Sequence, residues 1–247
     1  MTVLGIGVGA GITHIQPQPA FTLAGLSNKR LLLDARTIVG SHGDHLATLV
    51  DGSGLGNDFA QGVDGSRPTL NTSWQGSQGI ATSGSQFATL GNGLLTGITS
   101  FSLAWVGQFS SVSGPRVAFC LGNNAADGFD FDANRASTGK FSLFMNAVSA
   151  NDTTTTADTA AHIFIVTYDA AATPKWTIEM DGVALTLGFA NVAPLNPTTR
   201  SVFGGVNAVG AFGMAGNTGL LFVCSGVWTG PTKAAIRADA KKNWTLP

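Results

Sequence analysis

Between residues 160 and 228 apolar side chains recur at every second position, and the runs break at glycines and asparagines. A short basic stretch then follows: residues 233–242 carry Lys233, Arg237, Lys241 and Lys242, and the pattern stops at Trp244. A period of two marks a strand with one buried face. Short strands, evenly punctuated by turn formers, build sandwiches or barrels and not βαβ units. The chain is therefore expected to be all-β, an antiparallel two-sheet sandwich with one short C-terminal helix. It shows no βαβ rhythm and no internal repeat of fixed period.

The strands can be placed in order. Residues 30–36 read as the first core strand and 87–90 as a short one. Residues 101–109 are apolar at Phe101, Leu103, Trp105 and, past Gly107, Phe109. Strands follow at 117–121, 128–133 and 140–146. Residues 162–168 are the richest in β-branched and aromatic side chains. Asp181-Gly182 is a two-residue hairpin signal between 175–180 and 183–187. The last strands are 202–205 and 220–228. Residues 40–68 read as a long ordered loop in which Asp and Asn bond their own backbone, and the Thr-rich 151–159 as an exposed loop. The helix spans 232–244, with Pro231 before it, Thr232 as N-cap, and Lys241 and Lys242 at the negative end of its dipole.

Composition narrows the function. Charged residues are 11% of the chain, against roughly 25% in ordinary domains, and the net charge is −1. That removes the basic footprint a nucleic-acid binder needs. A surface so poor in charge tends to associate. The apolar residues 1–15 precede the first basic residue, Lys29, and are interrupted by Gly5, Gly7, Gly9 and Gly11. A secretory signal needs a positive start, and a spanning helix needs a longer apolar run, so neither is expected and nor is membrane insertion. Residues 1–25 read as an extended arm that orders on a partner, linked through Gln16-Pro17-Gln18-Pro19. The domain then occupies 26–247. Cys120 and Cys224 each lie in an apolar run and read as reduced core thiols, with a bridge left open.

Several motifs share an order and spacing across residues 31–244. They are Leu31-Leu32-Leu33-Asp34-Ala35, Asp51-Gly52-Ser53-Gly54-Leu55-Gly56-Asn57-Asp58, Arg67-Pro68-Thr69, Phe101-Ser102-Leu103-Ala104-Trp105-Val106, and His162 through Thr167-Tyr168-Asp169. The Trp176–Val183 hairpin and the 233–244 helix complete the set. Together they resemble the laminin-G-like modules of the concanavalin A-like lectin/glucanase superfamily. The resemblance implies a jelly roll of two curved antiparallel sheets with the helix at one end. It also implies glycan or protein binding or a structural role, and less commonly glycan hydrolysis. Some modules of this kind are carried on phage virion proteins.

The chemistry of the residues is sparse. Retaining glycanases need two carboxylates about 5–5.5 Å apart. Glu179 is the chain's one glutamate, and Ala184 stands where the family's enzymes carry their second; Asp181 is used in a turn. His14, His42, His45 and His162 flank no nucleophile signature, and His162 reads as structural. Asp127, Asp130 and Asp132 lie close together. They are either a hard-cation site or, the preferred reading, a solvated polar face opposite Phe129 and Phe131. His42-Gly43-Asp44-His45 is a weaker metal candidate, and the 51–58 loop is explained by self-bonded turns. Trp74, among Ser, Gln and Gly, is the best exposed aromatic for a sugar. Trp105, Trp176, Trp228 and Trp244 fit packing, and the polar tip 151–158 reads as solvated.

The expectation that follows is a non-enzymatic structural or surface-binding module with no cofactor and no assigned metal or ligand residue. Its first form is a phage virion component, a capsid decoration or fibre protein docked by the arm on other virion proteins or on copies of itself, and so located in the virion. Its alternative is a lectin-like protein that binds glycans, host-surface glycans among them.

Overall fold

A computed structural model describes residues 22–91, 93–122, 128–135, 137–145, 148–188, 201–206 and 212–247. Residues 1–21 of the expected arm lie outside it. The described chain begins at Thr22, and Leu23 is already buried.

The architecture is the expected sandwich. The strands are β1 (Lys29–Asp34), β2 (Thr48–Leu49), β3 (Phe59–Ala60), β4 (Thr69–Trp74), β5 (Ser77–Ser83), β6 (Ala88–Leu90), β7 (Ser100–Phe109) and β8 (Arg116–Leu121). They continue as β9 (Phe129–Ala133), β10 (Lys140–Met145), β11 (Val148–Thr156), β12 (Ala161–Asp169), β13 (Trp176–Met180), β14 (Val183–Leu185), β15 (Ser201–Phe203) and β16 (Ala215–Ser225), and the helix α1 is Gly230–Asn243. One sheet runs β14-β13-β12-β7-β16-β5-β4, with β1 also paired to β16; the other runs β11-β10-β9-β8-β15-β6-β3-β2. The paired strands are antiparallel throughout.

The core between the sheets is aromatic. Phe131 lies with ring centroids 4.7 Å from Phe164, 5.3 Å from Trp105 and 5.9 Å from Phe119. Each such pair adds about 0.5–1.5 kcal/mol beyond area burial. The first sheet is buried on both faces. Leu103 and Trp105 point inward, while Ala104 and Val106 join Ile163, Ile165, Leu220 and Phe222 in a second cluster under Ile236, Ala240 and Trp244 of the helix. This double burial makes 162–168 read as a continuous apolar strand.

Four local expectations are corrected. The helix starts earlier: Thr229 is the N-cap, accepting the Thr232 N–H at 3.3 Å, and Pro231 sits inside the first turn, where its missing N–H costs nothing. Residues 151–156 are strand and not loop, because they belong to β11, which pairs with β10 and forms an edge of its sheet; only 157–159 stay outside it. Its threonines are β-branched and suit an extended backbone. The 40–68 stretch contains the short paired strands β2 and β3. Finally, β4 and β5 form a hairpin that lacks a strong apolar signal. Its turn is Gln75-Gly76, both at positive φ (52° and 76°), as a type I′ turn requires.

Gly219 marks the tightest packing under the helix. A Cβ there would lie 2.6 Å from the Trp244 indole and 2.7 Å from Trp74, beside a register shift in β16. Gly219→Ala should destabilise the fold by about 1–3 kcal/mol, the cost of overpacking a filled site. Urea unfolding checks this, with the midpoint falling and the slope unchanged.

Candidate functional site

With α1 covering the first sheet, the outer face of the second sheet is the place to look for a site. Directly opposed residues share a face of an antiparallel sheet. One such row runs Ala60, Thr89, Val202, Cys120, Asp130, Phe144. Phe87, Cys120 and Val202 form a small apolar cluster on this face, separate from the main core. At the β3–β6 end an open groove of about 510 Å³ is lined by Ala60, Gln61, Gly62, Val63, Ser66, Ser85, Phe87 and Thr89.

The groove is built rigidly. Gln61 donates its backbone N–H to Ala47, and its side chain donates to the Phe87 carbonyl (3.3 Å) and accepts from the Val63 N–H (3.0 Å). Phe87 in turn donates to the Ser66 carbonyl at 2.9 Å. Arg67 ties the turn down from outside, with Nε on the Gln61 carbonyl (3.0 Å), Nη2 on the Gly62 carbonyl (3.2 Å) and Nη1 on Asp64 (2.8 Å). His45 meets the other oxygen of Asp64 at 3.0 Å. The result is a lining that sets the apolar side chains of Phe87 and Val63 beside an amide and three hydroxyls, held before any ligand arrives.

At the middle of the same face stands an acid pair. Asp130 and Asp132 are both 0% exposed, which corrects the solvated face expected of them. Asp127 lies outside the described residues. Arg135 reaches Asp130 at 3.3 Å and Asp132 at 3.7 Å, its guanidinium stacked over Phe144, and Ser142 hydrogen-bonds Asp132. Burial first, and then the neighbouring Asp130 charge, push Asp132 well above the ordinary value of 3.8. Among the described residues no three His, Cys, Asp or Glu side chains form a metal-ligating group.

The remaining candidates have structural partners. Trp74 is 5% exposed, and its indole N–H donates to Gln108 at 2.8 Å, so it is no sugar platform. Polar sequence neighbours suggested exposure, but the β4–β5 hairpin turns this ring under the helix. Glu179 is bound by Lys233 (2.7 Å) and Arg237 (2.8 Å), and Ala184 faces it across the hairpin. His162 lies between Asp181 (2.6 Å) and Asp158 (2.9 Å). Burial alone would lower its pKa, but the two carboxylates outweigh that and hold it above 6.5. Asp51 accepts from the N–H groups of Leu32, Ser53 and Asn57 and from the Ser53 hydroxyl, and Asp58 caps the Asp51 N–H, as self-bonded turns require. In the 42–45 segment Asp44 accepts the Ser41 N–H while His45 turns to Asp64. Cys120 and Cys224 are buried and form no disulfide, and burial raises the Cys224 thiol to about 11. No helix among the described residues is long and apolar enough to cross a membrane.

No protein-family model and no curated protein sequence matches the chain. Solved structures match its fold. A botulinum neurotoxin serotype G binding domain superposes with TM-score 0.61 at 12% identity, over 89% of this chain and 54% of that one. Domain 4 of AbnA, a GH43 extracellular arabinanase from Geobacillus stearothermophilus in complex with arabinotriose, gives 0.59 at 14%, over 80% of this chain and all of that domain. A type C botulinum neurotoxin, whose cell entry depends on interaction with two ganglioside molecules, gives 0.54 at 12%, over 86% and 51%. The chain thus spans about half the length of these toxin structures. At such identities the likeness establishes a shared β-sandwich fold.

The acid pair generates a signed prediction. A folded pKa above the unfolded one gives stability that is complete below the unfolded value and lost as pH rises through the folded value. Asp132→Asn should therefore melt higher than the parent at neutral pH. That advantage should shrink as pH falls below the unfolded value of about 3.9, where the parent carboxyl becomes protonated in both states. Thermal melts across this range measure it.

Proposed function

We propose that this chain is a lectin-like module that binds glycans in the β3–β6 groove. The observation carrying this reading is the groove itself: an aromatic side chain, an amide and hydroxyls on a rigid sheet face, in a fold shared with domains that engage saccharides. A sugar ring has an apolar C–H face and a rim of hydroxyls, and such a mixed, preformed surface fits both. Binding, not hydrolysis, suits the residues. The acid pair is fully buried and Glu179 is committed to the helix. A second groove, of about 390 Å³ beside β13 and β14, is more apolar, and its charged groups Glu179 and Lys233 already pair with each other.

This reading takes the alternative in preference to a virion component. The virion reading leans on low charge and on the N-terminal arm, whose first 21 residues lie outside the described structure, and none of the neighbours above is a virion protein.

A glycan array followed by calorimetry tests the proposal. Saturable binding is expected. Ser85→Trp, which fills the groove from an exposed position, should weaken it at least tenfold with an unchanged melting temperature. No binding to any glycan, or full affinity in Ser85→Trp, would refute it.

A further inference from the structure

Resting on the carbohydrate reading above, we infer that the groove selects neutral saccharides and discriminates against those carrying sialic or uronic carboxylates. The reason is the state of the charges around it. No charged side chain lines the groove among the described residues. The cation beside the turn, Arg67, is paired with Asp64 and gives one N–H each to the carbonyls of Gln61 and Gly62. His45 is directed at the same Asp64.

Asp64 itself stands at the rim with its side chain 67% exposed. Its hydrogen bond with His45, reinforced by Arg67, holds its pKa below the ordinary 3.8. The rim therefore presents a permanent carboxylate whose countercharges are already in use. An incoming carboxylate would lose water and gain no uncommitted cation, which is unfavourable for a desolvated charge.

The hydrogen-bonding groups point the same way. The Gln61 amide and the hydroxyls of Ser66, Ser85 and Thr89 can each both donate and accept. Sugar hydroxyls do the same, so donors and acceptors can be matched in pairs. A carboxylate only accepts, so it could take hydrogen bonds from these groups but return none to their acceptor oxygens. The Gln61 amide, with one hydrogen bond at each end, retains a second donor and a second lone pair.

The experiment is titration of the full chain with matched pairs that differ by one acidic residue, lactose against 3′-sialyllactose and neutral against uronate-bearing oligosaccharides. The neutral member should bind at least tenfold tighter. That binding should be weakened by Ser85→Trp and should change less than twofold between low and high salt, since no ion pair forms. If the acidic member binds tighter and Ser85→Trp abolishes it, the inference falls while the glycan reading stands. If neither member of any pair binds, both fall together.

Discussion

The structure depends on one constraint: the central strands of its first sheet, β7 and β16, are apolar on both sides. Their inner side chains meet the aromatic core, and the outer ones would face water without α1. The helix must therefore dock, and the residues that dock it cannot be used for anything else. Trp74 and Trp244 converge on the bare backbone of Gly219. Lys233 and Arg237 reach across to Glu179. The chain's glutamate and its most promising tryptophan are thereby consumed by packing.

That docking hands the functional role to the other sheet. Among the described residues its outer face carries no helix, and its β3–β6 end opens into a groove held by main-chain hydrogen bonds, the Gln61 amide and Arg67. A chain so poor in charge gains rigidity this way at little electrostatic cost. Arg67 illustrates the economy, since one guanidinium closes the turn, neutralises Asp64 and leaves the groove itself uncharged. The buried acid pair is the exception on this face. Arg135 lies within reach of both carboxylates, Ser142 hydrogen-bonds Asp132, and burial together with the Asp130 charge raises the pKa of Asp132.

Much of this was legible in the residues. Most strands, the Asp181-Gly182 hairpin, the C-terminal helix and the self-bonded 51–58 loop follow from periodicity and turn chemistry, because those are local interactions. Asp51 illustrates the point: three of the four hydrogen bonds its carboxylate accepts come from within six residues. The hairpin β4–β5 escaped because Gly79 and a run of polar residues blur the alternation, although Gln75-Gly76 is a usable turn signal.

What the sequence determined by itself is the fold class: period-two runs between turn formers admit a sandwich. What only the tertiary structure decided is exposure. Trp74 sits in a polar context yet is covered by the helix, and Asp130 and Asp132 alternate like a wet face yet are wholly buried. Phe87 and Gln61, distant in sequence, become one groove when β3 pairs with β6. Alternation says that two faces differ; which face meets solvent depends on what a distant part of the chain lays over it.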